Sequence, residues 1–214
     1  MSGCELDHIV VTAPNLKDGV AWVHDQLGAT AEPGGAHTTM GTHNCLLKLG
    51  DAVYLEVLAP NPNASNPPRP RWFDLDRLEP SATPRLAAWV ARTPDIRSAV
   101  DTCGEPIGNV EPMSRGELNW LITIADGGRL PLSGIAPILI EWLTRPHPAA
   151  RLPESGCMLE GLEGFHPDPG RVERLLRSLG FAGDVKVGSL PTGSQPFLVA
   201  QIRTASGVKV LGSR

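Results

Sequence analysis

Three ionisable side chains stand inside runs whose other residues favour burial: His8 in LDHIVV, Glu56 in LEVL and Glu141 in IEWL. A charged group in an apolar setting is costly unless it is paired, hydrogen-bonded or bound to a metal. Because side chains alternate along a strand, one face can also line a wet cleft, where an acid costs little. The residue types therefore suit an acid–base or ligand-holding site. They equally suit a hydrogen-bonded histidine at position 8 and exposed edge-strand acids at 56 and 141.

The elements that must carry them recur along the chain. A shift of 80 positions lays LDHIVVTAPNLKDGV, from Leu6, over LAAWVARTPDIRSAV, from Leu86, and a shift of 153 finds a weaker third copy from Leu159. Such repetition predicts repeated supersecondary units. Each copy reads as strand, tight connection and amphipathic helix, with Asn15, Asp95 and Asp168 as N-caps and Gly28, Gly104 and Gly180 as stops. Strands follow each helix: NCLLKL and AVYLEVL meet across Gly50-Asp51, NWLITIA and APILIEWL across a longer loop, and FLVAQIRT and VKVL across Ala205-Ser206-Gly207. The expectation is an α+β fold of βαβββ modules packed as one unit. The first module spans 1–58, the second 85–147, and a degenerate third 148–214. Between the first two, Ala59 to Pro84 holds seven prolines and reads as a linker; the alternative is a loop that covers one end of the sheet and lines the pocket, because Trp72, Phe73 and Leu75 are larger than a spacer needs.

Composition excludes several functions. A net charge of −4 with scattered Lys and Arg lacks the footprint of a nucleic-acid binder. No run approaches the roughly 18 apolar residues of a membrane span, and the polar SGCELD start does not resemble a leader. The four cysteines form no C-x-x-C pair and suit free thiols in a reducing compartment, so a cytoplasmic protein is expected. There is no G-x-G-x-x-G after a strand, no phosphate-binding G-x-x-x-x-G-K-[ST], and no G-x-S-x-G elbow. The runs around Trp89 and Trp142 read as core, and a small molecule is the expected partner.

Together, LDHIVV, GTHN, YLEVL and PILIEWLTRPHP resemble the glyoxalase-like domain branch of the vicinal-oxygen-chelate superfamily, from Leu6 to about His147. The resemblance implies that each module's sheet curls into half a cup, with metal ligands on first and fourth strands. Carried over, those positions are His8, Glu56, Ala88 and Glu141, of which Ala88 cannot ligate. His8, Glu56 and Glu141 would suit Zn²⁺, Ni²⁺, Mn²⁺ or Fe²⁺ with open positions, and a cup without metal is the alternative. Glu56 or Glu141 is the candidate base of a lyase, isomerase or dioxygenase acting on neighbouring oxygens. The other reading is a metal-free sequestering protein of the bleomycin-resistance type. Asn44 and His43 fall on opposite faces of one strand, and Asn44 is favoured for the cup. Arg115, Trp120 and His147 complete the substrate-binding candidates. His24 and His37 show no constellation, and His166 belongs to a turn. The third module lacks both signature positions and is expected to pack on the others or to complete a homodimer.

Overall fold

The computed structural model describes residues 3–212. The first and last two residues, which include the start of the stretch read for a leader, lie outside them. The first unit comprises β1 (Glu5–Thr12), α1 (Leu16–Leu27), β2 (Glu32–His37), β3 (Thr42–Gly50) and β4 (Val53–Pro60). The second comprises β5 (Arg85–Arg92), α2 (Ile96–Thr102), β6 (Asn109–Arg115), β7 (Leu118–Ile124) and β8 (Ile138–Trp142). The third comprises β9 (Met158–His166), α3 (Pro169–Ser178), β10 (Val185–Ser189), β11 (Phe197–Thr204) and β12 (Gly207–Leu211).

The expected caps form. Asn15 Oδ1 accepts from the Asp18 amide at 2.9 Å, Asp95 Oδ1 from Ser98 at 3.1 Å, and Asp168 Oδ1 from Arg171 at 3.0 Å. Gly28 closes α1 in the left-handed region, at φ 71°.

The first two units join into one eight-stranded sheet of order β2-β3-β4-β1-β5-β8-β7-β6, with β1 antiparallel to β5 at the seam. Each half places its first strand beside its fourth in parallel, so the halves are related by a pseudo-twofold about the seam. The third unit keeps the βαβββ order but not the pairing. Its four-stranded sheet runs β10-β9-β11-β12, with β9 and β10 parallel neighbours.

Two apolar cores follow from strand alternation. On the convex side, Ile9, Val11, Leu55, Val57 and Trp89 pack against Val23 and Leu27 of α1. Leu162, Val172, Leu175, Leu198 and Ile202 of the third unit enter that same core, so this unit covers the back of the sheet. On the concave side, Val10, Leu58, Ala88, Val90, Ile122 and Ile140 cluster with Trp72, Phe73 and Leu75. The proline-rich stretch therefore does more than link: three of its large residues close one end of the cup. Among the described residues, no helix is long and apolar enough to cross a membrane.

Candidate functional site

The concave face holds a cleft of about 360 Å³ of free space, its open mouth included, lined by His8, His37, Asn44, Tyr54, Glu56 and Arg115 with an aromatic and aliphatic wall. β1 and β4 deliver the central pair. In their parallel register His8 lies opposite Tyr54 and Val10 opposite Glu56, which brings His8 Nε2 to 3.5 Å from Glu56 Oε2. Asn44, from β3, donates its amide to Glu56 Oε1. Its own Oδ1 accepts from the Gly35 amide at 3.0 Å and from Arg115 Nη1 at 2.8 Å.

Arg115 ends β6, at the far edge of the sheet, so its reach to Asn44 measures how strongly the sheet curls. Two glycines of β2 permit that approach. A Cβ at Gly34 would stand 2.1 Å from Asn44 Oδ1, and one at Gly35 would stand 2.9 Å from Arg115 Cδ. Among the described residues Arg115 makes no salt bridge, and it lines the cleft with Nη1 on Asn44.

A bulge in β1 supplies a residue the sequence did not betray. The pairing with β5 shifts between Leu6 and His8, leaving Asp7 as the extra residue. It is buried with 0% exposure, and its Oδ1 lies 2.6 Å from His8 Nδ1. In a regular strand neighbours point to opposite faces; a bulge lets both turn the same way. Asp7 Oδ2 accepts from Trp142 Nε1 and from His147 Nε2, each at 2.9 Å.

The electrostatics follow from burial and pairing. Burial alone would push the His8 imidazole down, but its hydrogen bonds and charge contacts with Asp7 and Glu56 outweigh that and hold it up at about 9. Burial would raise Glu56, yet His8 and Asn44 keep it at about 2. Asp7 is likewise held below the usual carboxylate range, its burial outweighed by His147 and His8. Among the described residues no carboxylate hydrogen-bonds to His37, and the charge of Glu56 does not offset its burial. Its Nδ1 lies 3.1 Å from Thr42 Oγ1 and burial pushes it down to about 4, so it stays neutral beside Arg115.

Of the residues singled out from sequence, His8, Asn44, Glu56, Arg115 and Trp120 meet in the cleft. His147 stands one hydrogen bond behind His8, through Asp7. Glu141 requires correction. Its Oε2 accepts from the Ile96 amide at 2.9 Å, at the start of α2 on the opposite face. Register explains why: Val10 pairs with Glu56 in the first half and Val90 with Ile138 in the second, so Ile138 occupies the place of Glu56. Glu141 lies three positions on, an odd step that turns it to the helices. His43 also points away from Asn44, and its Nε2 has no partner among the described residues. Conversely His37 and Trp142, set aside as lacking a constellation and as core, both line the cleft. Tyr54, Trp72 and Phe73 join them; only the size of the last two hinted at a role.

The donors present do not fit the expected divalent ion. Of the three expected ligands only His8 and Glu56 face one another, through Nε2 and Oε2, while Glu141 is turned to the other side. Among the described residues no three His, Cys, Asp or Glu side chains converge as a metal would require.

Comparison with known proteins bears on the fold. A hypothetical protein from Staphylococcus aureus superposes with TM-score 0.56 at 14% identity, covering 98% of this chain and 85% of that one. A mutant of 4-hydroxymandelate synthase from Streptomyces coelicolor gives TM-score 0.50 at 16% identity, over 99% of this chain and 63% of that one. A variant of Streptomyces coelicolor methylmalonyl-CoA epimerase, in complex with 2-nitronate-propionyl-CoA, gives 0.44 at 18%, over 66% and 97%. At such identities the likeness concerns the fold. No curated protein sequence matches the chain. The model of the family described as Glyoxalase-like domain matches residues 6–180, and the chain belongs to that family, within the vicinal-oxygen-chelate superfamily.

Proposed function

We propose that the cleft binds a small molecule with two neighbouring oxygens and moves a proton at the carbon beside them, a lyase or isomerase type of chemistry. The observation that carries this reading is the pairing, in one cleft, of a buried ionised carboxylate with a half-buried cation that makes no salt bridge among the described residues: Glu56 and Arg115, joined through Asn44. Arg115 meets one substrate oxygen, and Glu56 faces the adjacent carbon.

Glu56 is a weak base while His8 and Asn44 both hold it low. A substrate oxygen that gains negative charge competes for those same donors. As Asn44 or His8 turns to the oxyanion, Glu56 is released and becomes more basic at the moment the proton leaves. Stabilisation of charge as it develops is what accelerates such a step. Trp72, Phe73, Trp120 and Trp142 give the cleft an apolar wall beside it. Because the donors do not fit a divalent ion, no step is assigned to one.

A second reading, sequestration without chemistry, is favoured by one feature: the hydrogen bonds of the floor are already mutually satisfied, so the cup is stable as a receptor. Incubation in D₂O with 2-oxoaldehyde thiol adducts, 2-oxo acids and catechols separates the two. Proton NMR should show deuterium entering at the carbon beside the oxygens of at least one compound, at a rate EDTA does not change. Ligands that raise the melting temperature while none exchanges would establish the second reading instead.

A further inference from the structure

Asp7 is fully buried, yet nothing in its immediate sequence suggests an orienting role. Its carboxylate is fixed from the second unit and the segment that follows it. Trp142 Nε1 can only donate, and does so to Oδ2 at 2.9 Å. His147 is equally committed. Its Nδ1 accepts from the Ala149 amide at 3.2 Å, so the proton sits on Nε2 and is donated to that same Oδ2, at 2.9 Å. With both donors on Oδ2, Oδ1 is left for His8 Nδ1 at 2.6 Å. Tyr54 stacks on the imidazole at 4.5 Å between centroids and 15° between planes, which resists tilting of the ring. The nitrogen opposite the anchored one is the atom that faces Glu56, at 3.5 Å.

We infer that Asp7 is a positioning residue, through which the second unit sets the ring of His8 against Glu56. A carboxylate behind an imidazole fixes which nitrogen carries the proton and which way the ring points. The inference rests on the cleft being the working site. It adds that the polar half of the cleft is held in order by Trp142 and His147, across the seam.

The test needs no ligand: NMR of the histidine ring nitrogens in the ¹⁵N-labelled full chain, with His8→Gln to assign the signals. In the wild type, His8 Nδ1 should carry a proton that resonates far downfield. In Asp7→Asn that signal should vanish and both His8 nitrogens should shift, with the far-UV circular dichroism and the His24 and His166 signals unchanged. A wild-type His8 with a bare Nδ1 overturns the inference outright, and so does an Asp7→Asn protein whose His8 signals are unmoved. Should Asp7→Asn not fold, Trp142→Phe and His147→Gln each remove one donor from Oδ2 and leave His8 and Asp7 in place. Displaced His8 signals in both support the inference; unmoved signals in both overturn it. A failure here leaves the proton-transfer reading standing, and a failure of deuterium exchange leaves this one standing.

Discussion

The two halves of the cup share a fold and divide the labour. The first half contributes His8, His37, Asn44 and Glu56, whereas the second contributes Trp120, Ile122, Ile140 and Trp142, with Arg115 as its one charge in the cleft. At equivalent places the contrast is direct. Ala88 lies 80 positions after His8 and packs among apolar neighbours, and Ile138 takes the register position of Glu56. Duplicated backbone geometry does not carry duplicated chemistry: one half became the polar floor and the other an aromatic wall that orients it.

The largest expected effect comes from removing what supports both halves. Deleting residues 148–214 strips Leu162, Val172, Leu175, Leu198 and Ile202 from the convex core and exposes the back of the sheet. The remainder should lose its cooperative melting transition by circular dichroism. Leu175→Ala, a milder version, should cost about 2–5 kcal/mol in denaturant unfolding. A truncated chain that melts as sharply as the full one would make the third unit dispensable.

Within the cup, Arg115→Met tests whether the wall side supplies the needed charge. Deuterium exchange should fall by about 10²-fold, the usual loss when an oxyanion donor is removed, with folding retained. An unchanged rate would confine the chemistry wholly to the first half.

The pH dependence of stability is smaller and sharpens the same contrast, because both histidines concerned belong to the first half. His8 rises from 6.5 to about 9 on folding, so its contribution is complete below pH 6.5 and is lost as pH climbs through 9. His37 falls from 6.5 to about 4, so the unfolded chain takes up a proton the native one refuses, and stability declines as pH drops from 6.5 toward 4. Glu56 adds a further loss as pH falls from 4.5 through about 2. The melting temperature should therefore peak near pH 6.5. In His8→Gln the alkaline decline should flatten while the acidic one remains. An alkaline limb unchanged by that substitution would contradict the ion pairing assigned to His8.

The strands with strong apolar alternation, the helix caps and the repeat were legible in the sequence, since each is a local pattern. β2 was not. Its EPGGAH segment reads as a loop, because Gly34 and Gly35 answer to the close approach of Asn44 and Arg115 rather than to strand propensity. Simple alternation was enough to set Asn44 apart from His43, but Asp7 was hidden by a bulge that no periodicity announces. Glu141 was misplaced because an acid in an apolar strand looks the same from either face, and only the pairing of Val90 with Ile138 shows which residue occupies the site. Trp72 and Phe73 lie in a proline-rich stretch whose path over the cup is a tertiary property.

The central claim is that the chemistry belongs to the first half's carboxylate and not to its sequence look-alike. The direct measurement is deuterium exchange by Glu56→Gln and Glu141→Gln side by side, on the compound the wild type processes best. Glu56→Gln should lose about 10²-fold or more, the range for a proton-transfer group. Glu141→Gln should keep the wild-type rate and lose at most about 1 kcal/mol of stability through its contact with the Ile96 amide. Loss of exchange in Glu141→Gln, with the rate of Glu56→Gln intact, would contradict the account.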